Sequence, residues 1–207
     1  VEAVDTKNGA ANTMGLYSMF QTVDGRQNFG YRIDRSSFAT TRYINTLILY
    51  ELHKKARFEV LRTYVSPNNR LGIYDGVVGQ GIVKLTDDAP HEVVITIADD
   101  NQNASKLRFN IVRTPQPAVQ AEGAPVWWLR DYTHWENGFS LPIPSGALYE
   151  SILLTVKRTE GGTPRTAYSP VFRICDANVP LLKAMTVIIR TDSLPPRYRH
   201  TACLSSA

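Results

Sequence analysis

Short apolar runs, each ended by a turn residue, recur along the chain, and their spacing limits what it can fold into. Residues 16–23 and 29–33 are rich in β-forming side chains and flank Asp24-Gly25. That pair is the strongest short hairpin signal, because a two-residue turn needs positive φ at both positions. Farther on, Val93, Ile95 and Ile97 alternate with Glu92, Val94 and Thr96, so one face of a strand is buried and the other is half-wet. Residues 82–85 and 107–113 read as further strands, with residues 99–103 as the turn that precedes the last of them. Twelve prolines and thirteen glycines are spread out rather than clustered, which suits many short strands joined by turns. No apolar run approaches the roughly 18 residues needed to span a bilayer, so no transmembrane segment is expected.

Residues 42–65 carry two patterns at once. Ile44, Leu47, Ile48 and Leu52 keep helical spacing, and Glu51 precedes Lys55 by four, a favourable helical pair. Tyr43-Ile44 and residues 46–50 are equally good strand material. The expectation is extended chain over 42–50, a helical turn near 51–57 and a strand over 58–65. Pro67-Asn68-Asn69 then makes a turn, since proline fixes φ and asparagine tolerates the left-handed region.

The stretch 114–124 contains prolines, glutamine and alanine without a core pattern and reads as a stiff connector. It separates a first β-sandwich, residues 1–113, from a second β-rich domain, residues 125–207, which is expected to continue past the given end. In the second domain, strands are expected over 152–157, 171–175 and 185–190, with a turn at Gly161-Gly162-Thr163-Pro164. The fold class is mainly β: two tandem immunoglobulin-like β-sandwiches with at most short helices.

With 43% hydrophobic and 20% charged residues, the chain has the composition of a folded protein rather than a disordered one. Its net charge is +4, and only residues 54–57 and 197–200 form tight basic groups. Those are ordinary solvated faces, and no nucleic-acid partner is expected. Cys175 and Cys203 read as free thiols, because Cys175 lies in an apolar strand pattern, with a Cys175–Cys203 pair the alternative in an oxidising compartment. The four histidines, His53, His91, His134 and His200, are far apart and none belongs to a His-x-His pair. No catalytic or metal-ligating set is expected within these residues, and no phosphate loop or nucleophile elbow is present. Residues 99–103 offer oxygen ligands, yet lack the glycine and distal glutamate of a calcium loop, so a hairpin turn is the simpler reading.

Trp127, Trp128, Tyr132 and Trp135 form the one aromatic concentration and the candidate binding residues. Such rings stack on sugars or anchor protein interfaces, but the simpler alternative is that Trp127 or Trp128 plugs a sandwich core.

One family resemblance bears on all of this. Residues 42–45 (Arg-Tyr-Ile-Asn), Lys54-Lys55, Leu61-Arg62, residues 67–71 and Tyr74 resemble the non-catalytic region that follows the peptidase domain in bacterial lysostaphin-type zinc endopeptidases. More weakly, residues 143–149, 168–170, 180–183 and Leu194-Pro195 are similar to a second accessory domain of that family. The resemblance implies an exported protein, in the periplasm or associated with the outer membrane. It implies a positioning or docking role beside a peptidoglycan-cutting domain or an envelope protein complex, with zinc held only by a domain upstream of Val1. Two alternatives stand beside it: a module binding wall glycan through Trp127–Trp135, or a part of an active zinc metalloendopeptidase.

Overall fold

The computed structural model describes residues 1–3, 5–6, 13–56, 60–117, 121–159, 169–175, 179–191 and 196. The fold is mainly β, with thirteen strands, one α-helix and two 3-10 segments among the described residues. The chain divides into two units. One comprises Val1–Gln120 with Leu148–Glu150 and Ala177–Leu182; the other comprises Ala121–Ala147, Ser151–Asp176 and Lys183–Ala207.

The first unit is built on one antiparallel sheet. After a short pair, β1 (Asp5–Thr6) and β2 (Thr13–Met14), the chain enters β3 (Ser18–Val23) and β4 (Arg26–Arg32). The turn between them has φ of +49° at Asp24 and +75° at Gly25, the doubly left-handed turn that the sequence called for. The helix α1 (Tyr50–Ala56) follows, and then β5 (His91–Ala98) and β6 (Ala104–Ile111) complete the order β4-β3-β5-β6. Register slips at Gln21/Thr22, so that Asn28 is an extra residue opposite β3. At this bulge the half-buried Asn28 side chain donates to the Gly81 carbonyl at 3.0 Å and accepts from Gln21 Nε2 at 3.2 Å.

Met19, Phe29, Tyr31, Val93 and Ile95 line the buried face of this sheet. Leu47, Leu61 and Ile73 close over it from chain outside the strands. Residues 38–46, expected in part as extended chain, instead form a 3-10 helix capped by the Ser37 hydroxyl, which accepts from the Ala39 amide. The helical spacing of Ile44, Leu47 and Ile48 prevailed because it sets all three against the core, and that burial outweighs the β preference of Tyr43 and Ile44. The helical turn expected near 51–57 is α1. Of the strand expected over 58–65, residues 58 and 59 lie outside the described residues; Leu61 forms a single bridge with Ile48, and no ladder continues to Val65.

Residues 82–85 are not a strand either. Both sides of β5 are already taken by β3 and β6, and the outer side of β4 is taken by residues 73–78. There the amides of Arg32, Asp75 and Val78 bond to the Ile73, Gly30 and Asn28 carbonyls. The turn at Pro67-Asn68 is present, with Asn69 N–H bonding Ser66 carbonyl at 2.8 Å. Neither asparagine takes positive φ. Their value is in their side chains: buried Asn68 donates to the Leu148 carbonyl at 2.8 Å, and Asn69 donates to Thr46 Oγ1 and Tyr74 Oη while accepting from the Leu71 amide.

The second unit holds β7 (Ala124–Val126), β8 (Tyr132–Glu136), β9 (Phe139–Ile143), β10 (Ile152–Leu154), β11 (Val156–Thr159), β12 (Val171–Ile174) and β13 (Ile188–Ile189). These pair as β13-β9-β8, β10-β7 and β11-β12. Along β9, Phe139, Leu141 and Ile143 are buried and alternate with half-exposed Ser140 and Pro142. Phe139 stacks on Phe172, centroids 4.4 Å apart. The expected turn at 161–164 and the segment 197–200 lie outside the described residues.

Candidate functional site

In the second unit, residues 127–131 leave β7 as a tight turn, with Arg130 N–H bonding Trp127 carbonyl at 3.1 Å. A second turn, residues 144–147, pins it. Gly146 N–H donates to the Trp128 carbonyl at 2.7 Å, Ser145 N–H to Asp131 Oδ1 at 2.7 Å, and Ser145 Oγ to the Leu129 carbonyl at 2.9 Å. Lys183 Nζ donates to the Ser145 carbonyl at 2.8 Å. Gly146 sits at φ +71°, a conformation open to glycine at little cost, and this lets its amide reach Trp128. The turn is therefore held from several sides while two of its large apolar side chains stay outside: Trp127 is 59% exposed and Leu129 65%.

Trp135 is 76% exposed on β8, where Thr133 and Trp135 point to solvent and Tyr132, His134 and Glu136 are half-covered. Trp128 is half-buried. The core of this unit is filled by Val126, Phe139, Leu141, Ile143, Ala147 and Leu154, with no tryptophan among them. No ring pairing joins the four aromatic residues, among the described residues; the ring contacts of this unit run from His134 to Phe139 and from Phe139 to Phe172.

Tyr132 faces a groove of 340 Å³ whose other walls include Asp131, Pro142, Pro144 and Met185. Proline explains the groove. β13 pairs with β9 only at Phe139 and Ser140, and Pro142 has no N–H with which to carry the ladder further. The strands part there, and residues 184–186 run beside β9 without pairing to it.

Among the described residues, no group of three or more His, Cys, Asp or Glu side chains is placed to hold a metal ion. His53 is exposed on α1, and His134 packs edge-on against Phe139; His200 lies outside the described residues. Cys175 is a free thiol in a polar cavity of 250 Å³ shared with Glu122, Thr155, Lys157 and Arg173, with no histidine in its wall. Cys203 lies outside the described residues. The oxygens of residues 99–103 are used within their own hairpin turn: Asp99 accepts from the Asn103 amide at 2.8 Å and from its side chain at 2.6 Å, and this bonding lowers the Asp99 pKa.

Sequence reasoning missed one charged cluster. His91, at the start of β5, is held between two carboxylates, with Nδ1 2.7 Å from Asp24 Oδ2 and Nε2 3.2 Å from Asp87 Oδ1. The Asp24 hydrogen bond leads in raising the His91 pKa, while burial opposes it. Asp24 and Asp87 are both lowered, Asp24 mainly by the His91 bond and Asp87 mainly by the Ala89 amide. The Asp87/His91 spacing of four was visible in the sequence, but nothing local brings in Asp24, 67 residues away.

Residues 124–207, less than half of the chain, are similar to the family described as the Zu5-like domain. No curated protein matches the chain. No solved structure matches it either.

Proposed function

We propose that this chain is a non-catalytic interaction and positioning module of a cell-envelope protein related to peptidoglycan endopeptidases, docking a catalytic domain or an envelope partner. The observation that carries the reading is the pinned turn of the second unit, which holds Trp127 and Leu129 out in water. Exposing large apolar side chains gives up burial that would otherwise stabilise the fold. Fixing the backbone beneath them lowers the entropy lost on binding, and tryptophan is among the residues enriched at interface hot spots. Trp135 adds a further exposed ring in the same unit. A domain-level family match over 124–207 is in keeping with a modular part.

Export to the periplasm or outer membrane belongs to this proposal and rests on the family resemblance. Wall glycan is the second ligand favoured by exposed indoles, since their faces stack on sugar rings.

A photo-crosslinking amino acid placed at position 127, and separately at 135, in the producing cell tests the reading. The expected product is a crosslink to an envelope protein bearing a peptidase domain, or to wall glycan. Crosslinks only to cytoplasmic proteins, or none at either position, would overturn it.

A further inference from the structure

The open edge of the first unit's sheet supports an inference separate from the tryptophan surface. β4 is covered along its outer side by residues 73–78, but no strand or loop hydrogen-bonds to the outer side of β6 among the described residues. The bonding phase of β6 follows from two contacts. Asp24 N–H bonds the Glu92 carbonyl, so the even-numbered residues of β5 point their backbone groups toward β3 and the odd-numbered ones toward β6. Asp99 N–H bonds the Asn103 carbonyl, which gives the same phase from the other end. Within β6, Ser105, Leu107, Phe109 and Ile111 therefore bond back to β5, while Lys106, Arg108 and Asn110 direct N–H and C=O to the open side.

The side chains follow the same alternation. Leu107 and Phe109 lie opposite Ile95 and Val93, on the face of the sheet that carries the core, yet they are 53% and 40% exposed. Beside Phe109 a groove of 340 Å³ runs between this face and residues 63–64 and 81–83. Lys106 and Arg108 stand on the opposite face; Arg108 is within 3.4 Å of half-exposed Glu92, and no ion pair is formed by Lys106 among the described residues.

We propose that β6 accepts a fifth strand, supplied by an extended segment of a partner protein in which apolar residues alternate with acidic ones. The unpaired amides and carbonyls at 106, 108 and 110 would take the main chain. Leu107, Phe109 and the groove would receive the apolar side chains, and Lys106 and Arg108 the acidic ones. Charge decides between this occupant and a second copy of the chain. β6 contains no acidic residue, and antiparallel self-pairing about Leu107 sets Lys106 opposite Arg108, a like-charge contact that destabilises a strand pair. In that register the basic edge disfavours self-association and favours an acidic strand.

The test uses the full chain, isotope-labelled, with two synthetic octapeptides that alternate valine with glutamate or valine with lysine. The glutamate peptide is expected to slow hydrogen exchange at the amides of 106, 108 and 110, and the lysine peptide to leave them unchanged. Lys106→Pro removes an outward N–H and no bond to β5, so it should weaken binding about ten-fold while the sheet stays formed. Lys106→Glu with Arg108→Glu should reverse the preference and bind the lysine peptide. Equal response to both peptides, no protection with either, or a preference unmoved by the charge reversal would refute the proposal. Protection that rises with protein concentration alone would identify a second copy as the occupant and refute it as well.

Discussion

His91 is the clearest case of one side chain joining distant pieces of sequence. It ties the β3–β4 turn, through Asp24, to the loop before β5, through Asp87. Its pKa is raised by folding, so its contribution is fully present below the ordinary value of 6.5 and disappears as pH climbs through the raised value. The two aspartates are lowered, so their contribution is present above 3.8 and is lost as pH falls through their lowered values. Chemical denaturation of wild type and His91→Asn should therefore differ most between those limits and converge at alkaline pH. A difference that grows on raising the pH would show that the imidazolium is not what holds the clamp. Asn68 and Asn69 make a related point. The sequence marked both as turn formers, yet their backbones are ordinary and their amides do the holding, because a buried polar atom without a partner is costly.

At the level of elements, the hairpin, β5 and the core of β6 were legible because each combines period-two alternation with a turn whose backbone demands are local. Residues 42–46, expected as extended chain, and 82–85, expected as a strand, were misread for a shared reason: their state depends on distant chain. The first is drawn into a 3-10 helix by the apolar cluster beneath it, and the second finds no strand edge left to pair with. Gly30 shows how close residues 73–78 lie to β4. A Cβ there would stand 2.5 Å from a Phe20 ring carbon and 2.6 Å from the Asp75 carbonyl. Gly30→Ala should cost about 1–3 kcal/mol in equilibrium unfolding, the usual range for overpacking. Gly15→Ala, where nothing lies within 4 Å, should change stability by less than about 0.5 kcal/mol. Equal effects of the two would remove the case for close packing at Gly30.

For the whole molecule, the first unit is not contiguous in sequence. Its turn at Asn68 is completed by residues that come 80 positions later, and Tyr149 Oη donates to the Arg42 carbonyl at 2.6 Å. Arg62 and Ser66 both reach Glu150, at 3.2 and 3.3 Å. Composition and proline spacing cannot reveal such returns, which is why a sequence reading draws one boundary at 114–124 and stops there. A fragment of residues 1–120 should therefore be less stable than the same residues in the full chain, by a few kcal/mol, since each hydrogen bond exchanged for water loses about 0.5–1.5 kcal/mol and the burial against Leu148 and Tyr149 is lost too. Amide exchange at Asn68 and Asn69 would report it; protection equal to that in the full chain would show that residues 148–150 add nothing. The aromatic cluster was legible as a concentration of residue types but not as a surface, because exposure of Trp127 and Trp135 is decided by which other side chains fill the core. The most direct test of a binding role is the capture of the crosslinked partner by Trp127→Ala/Trp135→Ala. The double variant should unfold within about 0.5 kcal/mol of wild type, as exposed side chains do, and lose at least about ten-fold in partner capture. A variant that captures its partner as well as wild type, or that unfolds several kcal/mol earlier, would contradict the assignment of these tryptophans to binding.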